Sequence, residues 1–160
     1  MISILCLVAL AGMTPESAGD EKGAALYKRC AACHLANGMG VPGSFPPLAG
    51  RLAGAANSAQ GRAYLVMVIS AGLMGEIDVA GETYRGVMPA QGGLGDEDIA
   101  ALLNYLVTDF GEADDENALN PFTADEVKLI RCAHPHANGQ LVRKLRLGVF
   151  EPPPTLEPVP

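Results

Sequence analysis

The chain has 160 residues, a formal net charge of −7, 49% hydrophobic and 18% charged residues, and no Trp. That size suits one domain with tails, and the hydrophobic share excludes a disordered or fibrous chain. The acidic balance counts against a nucleic-acid surface.

An apolar run from Ile2 to Leu10 opens the chain. It is too short to span a bilayer but matches the core of a secretory signal, and Ala9-Leu10-Ala11 supplies a small-x-small cleavage site. Residues 1–11 are therefore read as a signal peptide and the mature protein as exported to the periplasm. No other stretch approaches the length of a membrane-spanning helix. Cys6 leaves with the signal, so Cys30, Cys33 and Cys132 remain, and an odd number argues against a disulfide framework.

The next elements make up a core domain over 18–111. Asp20 is placed to cap a helix carrying Ala24, Leu26, Tyr27 and Cys30. After a long Gly/Pro loop, "NGMGVPGSFPPLAGRLAGAAN", Ser58 is placed to cap a second helix, whose Tyr64, Leu65, Val68 and Ile69 recur at helical spacing until Gly72. Between Gly75 and Val87 the alternation around Ala80-Gly81 predicts a hairpin. The strongest helix is "GDEDIAALLNYLVTDFG", with Asp96 as cap, Glu97 and Asp98 at the positive end of the dipole, and Ile99, Leu102, Leu103 and Leu106 in one stripe up to Gly111. An acidic linker follows over 112–122, then a helical extension over 123–148. The extension starts with a Thr123–Glu126 capping box and continues through Val127 and Ile130 before His134-Pro135 interrupts it. The tail over 149–160 is proline-rich. Beyond Gly111 an acidic block precedes a basic one, Lys128 to Arg146, an order that allows the two to face each other or to remain solvated.

Long loops of this kind are uncommon unless something organises them, and a core of about ninety residues so poor in aromatics is marginal unaided. A buried cofactor answers both difficulties. "CAACH", residues 30–34, says which one. Two thiols one helical turn apart can add to the two vinyl groups of a haem, and the adjacent histidine is then carried to the iron. A thioredoxin-like dithiol needs a βαβ setting that the surroundings of Cys30 lack. Zinc needs two further ligands, for which Cys132, His134 and His136 are the nominal source, at a spacing that fits no common finger pattern. With His34 as proximal ligand, the distal candidates are Met39, Met67, Met74 and Met88. Met67 reads as core, Met39 follows His34 too closely to cross the ring, and Met74 lies in a Gly-rich stretch. Met88, read as a loop residue between Gly86 and Pro89, is assigned as distal ligand.

From Asp20 to Gly111 the succession "GAALYKRCAACH", "FPPLAG", "AGLMGEIDVAGETYRGVMPA" and "LGDEDIAALLNYL" resembles the class I bacterial c-type cytochromes. The run from Gly75 to Tyr105 is similar to haem domains that partner periplasmic dehydrogenases and nitrite reductases. The resemblance implies an all-α cytochrome c fold of three to five helices around one covalent haem c, with a small hairpin before the distal Met and a short helical extension. It implies thioethers at Cys30 and Cys33, axial ligands His34 and Met88, and a crossing of Gly23 and Tyr27 against Tyr105 and Leu106. It further implies a carbonyl from Pro46 or Pro47 on His34, and Arg51 near a haem propionate.

The expected function is one-electron transfer between redox proteins, with a periplasmic dehydrogenase or a terminal oxidase or reductase as candidate partners. The exposed edge is read as an apolar rim of Ala31, Ala32, Met39, Val41, Val87 and Ala90. The alternatives are a tightly bound haem subunit of a periplasmic oxidoreductase and, from a third class, a gas sensor or peroxidase-like protein. Cys132 is read as a half-buried free thiol, and the extension as a partner-docking element or a cover for the domain's own surface.

Overall fold

The computed structural model describes residues 15–111 and 120–150, with side chains from Gly19 onward. The expected signal over 1–11, linker residues 112–119 and tail residues 151–160 lie outside the described residues. Described are α1 (Pro15–Tyr27), α2 (Ala31–His34), α3 (Leu52–Ala56), α4 (Ala59–Ala71), β1 (Leu73–Val79), β2 (Glu82–Met88), α5 (Asp96–Asp109), α6 (Ala124–Ala133) and α7 (Gly139–Phe150). The fold is mainly helical with one two-stranded antiparallel sheet, and none of these helices is long and apolar enough to cross a membrane.

Helix α1 begins at Pro15, where the missing N–H costs nothing, so Asp20 lies inside the helix and does not cap it. Gly23 is where α1 meets α5: a Cβ there would lie 2.4 Å from that of Tyr105 and 2.5 Å from the Ala101 carbonyl oxygen. Tyr27, Tyr105 and Phe110 fill the crossing, with Tyr27 at 5.7 Å from Tyr105 and 4.9 Å from Phe110 between ring centroids. The Lys22 ammonium, 2.8 Å from the Asp98 carboxylate, closes its rim.

Ser58 does cap α4, its Oγ accepting from the Gly61 N–H at 3.0 Å, and Gly72 ends that helix. Asp96 is not the cap of α5. Gly95 holds the extended conformation a cap needs, Asp96 is already helical, and the Asp98 carboxylate accepts from the Gly95 N–H at 3.2 Å. Within the long loop, 52–56 close a short helix that its glycines had disguised.

The hairpin turns on Ala80 (φ 54°) and Gly81 (φ 83°), the left-handed pair of a two-residue turn. Its strands run further than the alternation suggested, with Leu73 opposite Met88 and Ile77 opposite Tyr84. Met88 is therefore the last residue of a strand, not a loop residue. Side chains alternate along strands, so Leu73, Ile77, Val79, Tyr84 and Met88 share the inward face while Met74 and Val87 occupy the other, exposed one.

The extension is fastened to the core. The Asn104 side chain donates to the Phe122 carbonyl at 3.0 Å and accepts from its N–H at 2.7 Å. Arg62 of α4 forks onto Glu126 at 2.6 Å and lies 3.7 Å over the Phe122 ring. Arg131 pairs with Asp96, and α7 packs on α4 and β1. Glu126 and Arg131 thus pair with the core, while Glu112, Asp114, Asp115 and Glu116 of the acidic block lie outside the described residues. Helix α7 runs on to Phe150, a residue that composition had assigned to the tail. Cys132 is exposed, not half-buried.

Candidate cofactor site

The turn from α1 into α2 is closed by the Cys30 N–H on the Tyr27 carbonyl, 2.8 Å, and the Cys30 carbonyl in turn accepts from Cys33 at 3.1 Å and His34 at 2.9 Å. Cys30 and Cys33 thus stand one helical turn apart with free thiols, and His34, 8% exposed, follows directly. The His34 Nδ1–H donates to the Pro46 carbonyl at 2.8 Å, which leaves Nε2 with the lone pair a metal needs. Gly40 (φ 64°) lets the loop come back that closely, since a Cβ there would meet the Phe45 oxygen at 2.3 Å and the Pro46 oxygen at 2.7 Å. Burial lowers the imidazole pKa, with the Pro46 bond opposing, and burial pushes the Cys30 thiol up, with Arg29 opposing.

Two adjoining cavities of about 850 and 1230 Å³, open mouths included, share Cys30, His34, Pro46, Leu73, Ile77, Met88 and Gln91 in their walls. Cys33 lines the second. Met88 lines both, whereas Met39, Met67 and Met74 line neither: Met67 is 3% exposed in the core and the other two face outward. The first cavity is walled by aliphatic side chains of α4 and α5 together with Arg51. A slot of this size, apolar on its faces and bounded by a neutral imidazole and a thioether, fits a flat macrocycle with an octahedral metal.

Ala32, Met39, Val41, Val87 and Ala90 are exposed and Ala31 is half-buried, but Phe45, 41% exposed at the mouth of the second cavity, was not anticipated. Also missed were Tyr64, Arg146 and Phe150, which line the first cavity. A signal for two of them existed: Val142, Arg146 and Phe150 recur every four residues on one face of α7. Among the described residues no three His, Cys, Asp or Glu side chains converge on a metal position, so Cys132, His134 and His136 do not complete a zinc site with the Cys30 pair. His134 Nδ1 instead lies within hydrogen-bond distance of its own helix, 3.0 Å from the Ile130 carbonyl oxygen.

The profile of the cytochrome c family matches residues 21–109, more than half of the chain. The chain belongs to the cytochrome c family. Two Thermus thermophilus proteins named cytochrome c-552 are each 44% identical over 127 residues, covering 79% of this chain and 97% and 86% of their own lengths. No more than 20 of those residues can precede the family match, so the similarity continues past Asp109 into the region of the extension. Membership in this family means one covalently attached haem c, with Cys30 and Cys33 in the C-x-x-C-H arrangement, and a role in electron transfer.

Proposed function

We propose that the protein is a periplasmic carrier of single electrons whose iron is held by His34 on one face and Met88 on the other, with Cys30 and Cys33 as the thioether anchors. The observation that carries the reading is that Met88 is the methionine lining both cavities with His34, on the inward face of β2. Residues 1–11 serve as the export signal, 18–111 as the cytochrome domain, and 123–150 as an extension joined by an acidic linker.

When bound, the haem supplies the one-electron Fe(III)/Fe(II) couple. The protein's part is positional. Pro46 fixes the His34 ring, β1 and β2 hold Met88 opposite Leu73, and the aliphatic walls of α4 and α5 exclude water. A thioether opposite an imidazole favours the reduced iron, and two protein ligands leave no position for substrate chemistry. The exposed side chains of Met39, Val41, Phe45 and Val87 form an apolar edge suited to a brief interface of less than about 1,200 Å². The extension buries Phe122, Val127 and Val142 on its own core and leaves Leu129, Leu141 and Leu147 exposed; its buried residues support a free carrier over a subunit whose extension guards a permanent partner.

Purification from an exporting host without cross-linking tests this. A monomeric protein with a reversible one-electron titration and no peroxide turnover is expected. Stable co-purification with a catalytic chain would move the function to a haem subunit.

A further inference from the structure

Charged side chains line both halves of the haem slot, Arg29 and Arg85 in the cavity that holds both cysteines. The cavity that holds both cysteines has none of Arg51, Tyr64 and Arg146 in its wall, whereas the adjoining one has all three among aliphatic neighbours such as Leu52, Leu65 and Val68. Arg146 is 3% exposed. Its guanidinium donates to the Asp78 carbonyl of β1 at 2.5 Å and sits 5.1 Å over the Phe150 ring, over which Arg51 also lies, at 5.9 Å. Arg146 also hydrogen-bonds Tyr64, whose hydroxyl burial pushes up and Arg146 pulls back. Two guanidinium groups and a phenol thus gather in the wall of one cavity, while Cys33 lies in the wall of the other and Cys30 in both.

A haem bears two carboxylates on the pyrroles that the thioether-forming vinyls do not use. Anchoring the vinyl edge at Cys30 and Cys33 sends the carboxylates away from Cys33, towards the cavity lined by Arg51, Tyr64 and Arg146. We propose that Arg146, carried by α7 of the C-terminal extension, binds a haem propionate together with Tyr64 and Arg51, so that the extension is a wall of the haem site. The inference rests on the haem being seated against His34 as proposed above. A guanidinium suits a carboxylate in both charge and fork geometry, and in an apolar wall it holds that carboxylate ionised. The added positive charge also favours the reduced, less positive iron.

The test is the reduction potential of the haem-loaded protein, followed from acid to alkaline pH, in the wild type, Arg146→Gln, Arg146→Lys and Val142→Ala. In the wild type the propionate stays ionised and the potential is flat through neutral pH. In Arg146→Gln the propionate titrates near neutrality, with a higher pKa when the iron is reduced. Electron uptake then brings partial proton uptake, and the potential falls as pH rises, below the wild type at alkaline pH and converging on it in acid. Arg146→Lys keeps most of the flat profile. Val142→Ala, which loosens the same helix without removing charge, keeps all of it. A profile for Arg146→Gln parallel to the wild type overturns the proposal.

Nuclear Overhauser contacts between the Arg146 guanidinium protons and the propionate methylenes in the reduced wild type give a readout that needs no variant; their absence overturns the proposal even if Arg146→Gln does not fold. The near-infrared methionine-to-iron band, recorded on the same samples, keeps the two readings apart. With the band present and the profile unchanged, the Arg146 assignment alone fails. With the band missing, the Met88 assignment fails while the profile still decides for or against Arg146.

Discussion

Replacing Gly23 by alanine tests the seat of the haem anchor, because α1 meets α5 at this residue and leads directly into Cys30. The new methyl would lie 2.4 Å from the Tyr105 Cβ and 2.5 Å from the Ala101 carbonyl oxygen. Ordinary contact between carbon atoms requires about 3.5–4.0 Å, so the deficit exceeds roughly 1 Å. Neither obstacle can rotate away, one being a Cβ and the other backbone, and the helices must separate. Overpacking of this kind costs about 1–3 kcal/mol, against a gain of about 1 kcal/mol for alanine over glycine inside a helix. The expected net change is a loss of up to about 2 kcal/mol. Gly19 provides the control, since it sits on the same helix with nothing within 4 Å of its added Cβ. Gly19→Ala is expected to stabilise by about 0.5–1 kcal/mol. Guanidinium denaturation of the haem-loaded variants measures both midpoints. If Gly23→Ala moves the midpoint upward as Gly19→Ala does, the close crossing of α1 and α5 is not what holds this part of the fold.

Other expectations follow from single contacts. Tyr27 donates its hydroxyl to the Leu35 carbonyl at 2.7 Å, and burial pushes its pKa up to about 12. Tyr27→Phe is expected to cost about 1 kcal/mol at neutral pH. Because the folded state favours the protonated phenol, the wild type alone should lose this contribution as pH rises from the ordinary tyrosine value, about 10, through 12. The Arg62 guanidinium, bonded to Glu126, holds that carboxyl below its ordinary value. Its contribution is therefore present above the ordinary carboxylate range and lost as pH falls through the depressed value; since the pair is partly exposed, Glu126→Gln should remove less than about 1 kcal/mol from the acid limb of stability against pH. Phe122 is 3% exposed under Arg62, and Phe122→Ala should cost about 3–5 kcal/mol in denaturant and release the extension to limited proteolysis.

What could be read before folding was what depends on neighbours in sequence. The C-x-x-C-H spacing, the Ser58 cap, the Ala80-Gly81 turn and the Ile99–Leu106 stripe are each written within a few residues, and each occurs where its local chemistry places it. Errors arose where two rules competed. Gly95 and Asp96 both suit a helix start, and backbone conformation decided for Gly95 while Asp98 supplied the reciprocal bond. Asp20 carried a cap's chemistry inside a helix that Pro15 had already begun. The extension was harder to read, because counting charge as blocks concealed that Arg146 shares a face with Val142 and Phe150. A buried guanidinium makes sense only once α7 is laid against the cavity, and no local pattern records that placement. Phe150 was absorbed into the tail by the prolines after it, although the helix ends only there.

The most direct test of the account is whether Met88 is bound to iron. The measurement is the optical spectrum of the protein purified from a host with haem-attachment machinery, with the near-infrared methionine-to-iron band of the oxidised form as readout, beside Met88→Ala. The account predicts the band in the wild type, its loss in Met88→Ala, and carbon monoxide binding to the reduced variant but not to the reduced wild type. A covalent haem without the band, in a wild type that binds carbon monoxide, would contradict it and make the iron a ligand-binding centre.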